Sequence, residues 1–470
     1  MRRREFIAIA ALAGVAGCTA PAVATGRPKK VMVLGAGLAG LVAADELARL
    51  GHDVTILEAR GRPGGRIQTL RAPFADGLHA EAGALFVPNH HDLTLRYVRR
   101  FGLPLAPALP PFEARLFYVR GRRVVSNWGT EIEWPFGLTP EDRKLGRSGM
   151  WDKYVAEPPA TLSPEALDRM SAAELLRSRG ASPEAIALLR VGTLDMMGEG
   201  IESYSALQML RRLALLQPAG QRSASYAIRG GSERLPQALA AQLGDRIRYS
   251  SPVVRIEPGR ASASVLVDAR GRRERLAADH VICTLPFSVL RHIEVAPPFS
   301  PQKARAIQEL PYTSVVRVFL QFRRKAWTAE NLFVLTSTDL PMKWLFEHTV
   351  NQPGGRGILE AQALGADARR LARLPEGERI EFALSQIEHI FPGVRKDYER
   401  GTSKCWDDDP WARGAFAYFR PGRMLALLPH LARAEGRVHF AGDHTSAGPG
   451  WMQGAVESGL RAAQEISEAA

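Results

Sequence analysis

Val31-Met32-Val33-Leu34 is an unbroken apolar run, the pattern of a parallel strand covered on both faces. Helical spacing follows from Leu38 to Leu50, and Gly51 stands where a left-handed residue closes a helix. Asp53–Leu57 reads as the next strand, so this stretch predicts a strand–helix–strand unit. Near the far end, Val438–Ala441 predicts a strand, Gly442-Asp443 its turn, and Trp451 the start of a helix. Gly454, Ala455, Gly459, Ala462 and Ala463 place small residues on one stripe of that helix, which predicts close approach to another element. Helical and strand patterns alternate through most of the chain, implying α/β or α+β layers without repeats or heptads. At 470 residues and 46% hydrophobic content, the chain can bury a large core and predicts two domains.

Glycines add chemistry to this pattern. Gly35, Gly37 and Gly40 complete G-x-G-x-x-G between the first strand and its helix, which begins at Leu38-Ala39. The first glycine makes the tight turn, the second lets backbone approach a pyrophosphate, and the third lets helix pack on strand. Glu58 ends the second strand 18 residues past Gly40, near the spacing of a ribose-binding acid. These features predict a dinucleotide site. Arg60-Gly61-Arg62-Pro63-Gly64-Gly65-Arg66 follows directly, placing a second glycine loop where it can lie against the same pyrophosphate.

With that continuation the chain resembles the FAD-dependent amine oxidase family: monoamine and polyamine oxidases, L-amino-acid oxidases and bacterial relatives. Residues 437–464, RVHFAGDHTSAGPGWMQGAVESGLRAAQ, resemble the family's closing FAD motif. The resemblance covers residues 28–468 and implies an α/β, Rossmann-like FAD-binding fold with an α+β substrate-binding domain. The FAD domain would be discontinuous, built from 28–95, 225–300 and 401–470, with 96–224 and 301–400 forming the substrate domain. It further implies that Glu81-Ala82-Gly83-Ala84 passes the flavin ring and that Val253 reads the adenine. Gly442 and Asp443 would meet the ribityl chain, and the helix end at Gly450-Trp451-Met452 would face the flavin edge where charge gathers on reduction.

The resemblance implies oxidation of an amine or amino acid to an imine by hydride transfer to flavin N5, with oxygen reoxidising the flavin to give peroxide. Trp451 matches one ring of the aromatic pair that flanks the amine, whereas the other ring is replaced by Ala415, next to Phe416. Trp406 matches a tryptophan beside the flavin. Gly414 stands where some relatives carry a flavin-linking cysteine, so FAD is expected to be non-covalent. Arg317 takes the place of a lysine that holds a water at N5, and Arg is not equivalent to Lys. L-amino-acid oxidases usually carry a carboxylate-binding arginine after the Gly83-Ala84 equivalent, but this chain reads Leu85-Phe86. Arg317 could hold a substrate carboxylate instead, or slow the oxygen step and favour a periplasmic acceptor. Alternative functions are a flavin desaturase or dehydrogenase acting on a non-amine, and a surface flavin-binding protein without turnover.

His90-His91 is expected on a solvated loop, and no H-E-x-x-H, C-x-x-C or G-x-S-x-G motif supports metal or serine chemistry. The formal charge is +13, but the cations are scattered, so no nucleic-acid partner is expected. Residues 1–24 read as a targeting segment. Arg2-Arg3-Arg4-Glu5-Phe6-Ile7 resembles a twin-arginine export signal, implying a periplasmic or cell-envelope protein. The following apolar stretch, Phe6 to Gly17, is too short for a helix spanning a roughly 30 Å hydrocarbon core. Val15-Ala16-Gly17-Cys18 resembles a lipoprotein site that would attach the chain to membrane through Cys18, and Ala22-Val23-Ala24 offers a competing soluble cut. Cys283 and Cys405 are expected to be buried, unpaired hydrophobes.

Overall fold

The computed structural model describes residues 27–109, 114–127, 132–157, 161–216, 224–269, 271–330 and 333–469. The export segment at residues 1–24 therefore lies outside the described residues. A five-stranded sheet, all of its pairs parallel, carries both terminal motifs, with strand His280–Cys283 between them. Its strands run in the order Ile247–Arg248, Asp53–Leu57, Lys30–Leu34, His280–Cys283 and Val438–Phe440. The central strand is apolar because both faces are covered: Val31 and Val33 pack on helices, and Met32 and Leu34 share a core with Ile256, Val265 and Val267 of a four-stranded sheet. Helix Leu38–Arg49 follows the first glycine turn, and Gly51 closes it at φ +85°.

Helix Met452–Glu468 lies directly on helix Leu38–Arg49, so the two ends of the sequence share one packing surface. A Cβ on Gly459 would lie 2.4 Å from the Ala39 carbonyl oxygen. The small-residue stripe thus lets two helix backbones approach where ordinary side chains would collide.

A seven-stranded sheet forms the second layer. Its order is Tyr398–Cys405, Val315–Phe322, Gly357–Leu364, Trp344–Glu347, Phe333–Thr338, Ala114–Val119 and Arg122–Asn127. Strand Val315–Phe322 alternates cleanly. Val316, Val318, Leu320 and Phe322 pack on helices Gly365–Ala372 and Glu376–Ile390, while Val315 and Phe319 pack on the opposite face with Leu78, Ala80, Ala82 and Trp406. Arg317 shares that second face. Cys283 and Cys405 are buried and free. Among the described residues no helix is long and apolar enough to cross a membrane.

Gly459→Val should lower the unfolding free energy by roughly 2 kcal/mol, a typical overpacking cost. The measurement is the thermal or denaturant midpoint, and an unchanged midpoint would show that this helix contact carries little of the fold.

Candidate active site

The first glycine turn makes a shallow, open cradle. A Cβ on Gly40 would lie 2.1 Å from the Gly35 carbonyl, so that position brings helix hard against strand. Gly37 differs, because a Cβ there would meet nothing within 4 Å. Gly37 also caps helix Leu38–Arg49 without a side-chain bond, leaving the first amides at Leu38 and Ala39 aimed outward. The second loop lies on the first: Gly64 N donates to Ala36 O at 2.8 Å, and Gly65 faces the Gly37 Cα. Arg62 braces this loop from within, donating to the carbonyls of Pro63, Gly65 and Ile67. Glu58 is buried beside both loops. Its oxygens accept from Ala36 N and Arg60 N, each at 2.8 Å, and burial raises its carboxyl above the ordinary range despite those bonds.

Arg66 links the second loop to the C-terminal motif. It donates to Asp443 and to the Ala415 carbonyl, the latter at 2.6 Å. The other Asp443 oxygen accepts from Gly450 N at 2.8 Å. Burial opposes the Asp443 charge, yet Arg66 and the Gly450 amide hold the carboxyl below its usual range. Gly442 N donates to Ser458 Oγ at 2.9 Å, anchoring the turn on helix Met452–Glu468. Trp451 caps that helix with no side-chain bond, and Met452, its first residue, is buried. Two uncapped helix N-termini therefore serve one cleft.

The segment Glu81–Ala84 crosses this cleft under tight constraint. A Cβ on Gly83 would lie 1.8 Å from Arg66 O, so the strand-like segment presses on the second loop. Arg317 Nη1 donates to Glu81 O at 3.0 Å and Gly83 O at 2.8 Å. Trp406, 2% exposed, donates from Nε1 to Ala82 O at 2.9 Å. Its ring lies beneath the segment, with Lys404 Nζ 4.7 Å from its centroid. Lys404 in turn meets Asp409, which also pairs with Arg60. Burial pushes the Glu81 carboxyl up to about 7, against lowering bonds from Ser232 N and Thr69. Val253 lies farther off, buried in strand Val253–Glu257.

Trp451 is half-buried and meets the edge of His91 at 5.1 Å between centroids. His91 departs from the expected solvated loop. It precedes helix Asp92–Arg100, whose Thr94, Leu95 and Val98 face the core, and that face carries His91 inward. Burial lowers its pKa to about 4, so the ring is neutral. Ala415 uses its carbonyl for Arg66, and Phe416 packs on Gly450 beside it. Across the seven-stranded sheet one row runs Lys404, Arg317, Gln362 and Trp344. Beside that row, Leu335 and Phe346 cluster with Leu85, Phe86, Leu109 and Trp344.

Sequence reasoning missed Glu360 and His348, which lie under Arg317. Glu360 Oε1 is 3.3 Å from Arg317 Nε, and its Oε2 is 2.7 Å from His348 Nε2. The available signal was weak: Glu360 and Gln362 are polar residues two apart in an otherwise apolar strand. Arg62 stands in the second glycine loop, but its self-bracing bonds depend on loop conformation.

These groups fit FAD: glycine loops open over Gly37, a buried acid at Glu58, and two helix N-termini facing one cleft. The family model for flavin containing amine oxidoreductase matches residues 38–467. The chain is 33% identical to the Bacillus subtilis (strain 168) protein "Putative L-amino-acid oxidase YobN", covering 94% of this chain and 96% of that one. It is 27% identical to the L-amino-acid oxidase of Daboia russelii, over 95% and 90% of the two chains. The fold is similar to cyclohexylamine oxidase from Brevibacterium oxydans, with TM-score 0.81 at 22% identity, covering 94% and 99%. It is also similar to a putrescine oxidase, with TM-score 0.78 at 23% identity and the same coverage. The chain belongs to the flavin-containing amine oxidoreductase family and is a FAD-dependent amine or amino-acid oxidase.

Proposed function

We propose that this protein is an exported oxidase of amines that carry no α-carboxylate, with oxygen as the electron acceptor and FAD held non-covalently. The observation that carries the substrate choice is the apolar cluster of Leu85, Phe86, Leu109, Leu335, Trp344 and Phe346. Phe86 and Phe346 meet edge to face at 5.4 Å. This wall suits an alkyl or aryl group and would leave a carboxylate desolvated without a partner. Arg317 does not supply that partner readily, because Nη1 serves two carbonyls and Nε faces Glu360. Arg66 is likewise committed to Asp443.

Bound FAD supplies a two-electron acceptor for the hydride leaving the carbon next to nitrogen. The chain's own part is to place that carbon, exclude water and keep the nitrogen unprotonated. Trp451 and the apolar cluster supply the dry wall, and the neutral His91 ring backs Trp451 without adding charge. The amine becomes an imine, which water hydrolyses to a carbonyl compound and ammonia. Oxygen then takes the two electrons as peroxide.

An amino-acid substrate is the second reading, favoured by the names of the relatives at 33% and 27% identity. Amine and amino-acid pairs that share a side chain, such as phenethylamine with phenylalanine, separate the two. Under anaerobic conditions the amine is expected to reduce the flavin at least about tenfold faster, a difference of roughly 1.4 kcal/mol. Faster reduction by the amino acids would overturn the substrate choice, and reduction by neither class would overturn the oxidase reading. Admitting air should then yield one peroxide per flavin reduced, whereas flavin that stays reduced would point to another acceptor.

Non-covalent FAD is supported at Gly414, where a Cβ would lie 2.6 Å from the Tyr312 Cβ and a linking side chain has no room. Acid precipitation is expected to leave all flavin in the supernatant; flavin retained in the pellet would contradict this. Export is supported by Arg2-Arg3-Arg4, and Cys18 supports lipid attachment. The mature N-terminus should be a diacylated Cys18, read by mass spectrometry of the envelope fraction. A soluble form starting after Ala24 would rule out the anchor.

A further inference from the structure

Four groups on four stretches of chain close a ring beneath the Glu81–Gly83 segment. Arg317, on strand Val315–Phe322, donates to Glu81 O at 3.0 Å. Glu81 N donates to His348 Nδ1 at 3.2 Å, just past strand Trp344–Glu347. Because Nδ1 accepts there, the His348 proton sits on Nε2, which donates to Glu360 at 2.7 Å. Glu360, on strand Gly357–Leu364, returns to Arg317 at 3.3 Å. Every member is held by two others, so no rotamer in the ring is free to drift.

The ring grips backbone, not open space. The chain leaves strand Ala80–Glu81 and bends at Ala82 and Gly83, and a single Arg317 Nη1 reaches both Glu81 O and Gly83 O. Ala82 O, pointing opposite, is taken by Trp406, and Ala82 N donates to Gln68 O at 2.9 Å. Glu360 is 4% exposed, and burial alone would raise its pKa; Arg317 and His348 instead hold it below the usual range. Its negative charge keeps the guanidinium oriented toward the segment, away from any anion in the cleft.

We infer that Arg317 is a positioning residue in this chain: the Arg317–Glu360–His348 ring sets the height and curvature of Glu81–Gly83 against the cofactor, and arginine is required because its extended guanidinium donates to two carbonyls from Nη1 while Nε stays 3.3 Å from the Glu360 carboxylate. The inference rests on the FAD-binding reading and is independent of which amine is oxidised.

Holoenzyme carrying Arg317→Lys or Glu360→Gln tests it. Lysine has one nitrogen and reaches fewer of the ring's acceptors, while glutamine keeps the bond to His348 but loses the charge that orients Arg317. Amide hydrogen exchange in a peptide spanning residues 79–84 is expected to speed up about tenfold in both variants, since that opening is local. The limiting rate of anaerobic flavin reduction is expected to fall about tenfold with the amine Kd within about twofold, because small misplacements act on rate more than on binding. Reoxidation by air is expected to keep its wild-type rate. The double variant should lose little more than the worse single, as expected for members of one network. Unchanged exchange in both variants overturns the ring. Faster reoxidation in Arg317→Lys, or a raised amine Kd at unchanged rate, overturns the positioning role in favour of an oxygen-step or substrate-binding arginine. If Arg317→Lys fails to retain flavin, Glu360→Gln alone decides by the same readings. A wild-type enzyme reduced by no amine would defeat the substrate proposal, while the exchange measurement would still judge the ring.

Discussion

The Arg66–Asp443 ion pair joins parts of the chain 377 residues apart, and both halves of the cofactor cleft depend on it. Arg66 ends the second glycine loop, and its backbone carbonyl is the surface on which Gly83 rests. Asp443 uses its second oxygen to hold Gly450 N, which sets the start of helix Met452–Glu468. One carboxylate thus fixes the loop expected to meet the pyrophosphate and the helix end expected to meet the flavin edge. A buried pair is not a cheap source of stability, because both ions lose water. Removing one partner typically costs about 3–5 kcal/mol, since it strands the other charge. With side chains only 23% and 9% exposed, Arg66 and Asp443 fall under that rule. Geometry is the larger return here, since the Ala415 carbonyl and Gly450 amide take their places from the same two side chains.

The same economy repeats around the cleft. Asp409 answers both Arg60 and Lys404, and Glu360 answers both Arg317 and His348. Each of these two carboxylates meets a counter-charge and at least one further polar group. The cleft is therefore built from near-neutral sets whose positions are fixed by mutual bonding. Glu81 lacks a direct cationic partner, although Arg317 donates to its backbone, and its carboxyl is correspondingly pushed up to about 7.

Sequence resolved the parts of this site whose physics is local. Gly37, Gly40, Glu58 and Gly64 act through turns, close approach and helix ends within about one supersecondary unit, so spacing alone carries the information. The small stripe on the last helix was equally legible, because Gly459 has a purpose only if a backbone lies against it. The ring beneath Glu81 was not. Its hydrogen bonds join residues 236 and 267 apart, and no local pattern marks which polar residue on one strand will face which on another. His91 misled for a related reason. A polar pair before a helix looks solvated, but the buried face of Asp92–Arg100 determines where its first turn points.

This division separates cofactor holding from substrate choice. The cradle is mostly backbone and is clamped from below by Arg317 and Trp406, so the side chains just beyond the clamp are free to vary. Leu85 and Phe86 are those side chains, and they join residues of the seven-stranded sheet, not of the cradle. An apolar Leu85-Phe86 at this point makes a wall that solvates a carboxylate poorly, while Gly83 is held by its own contacts with Arg66 and Trp406. In this chain those two residues are apolar, and the Arg317 guanidinium donates to two carbonyls and faces Glu360; the proposed preference for an uncharged substituent rests on these two observations.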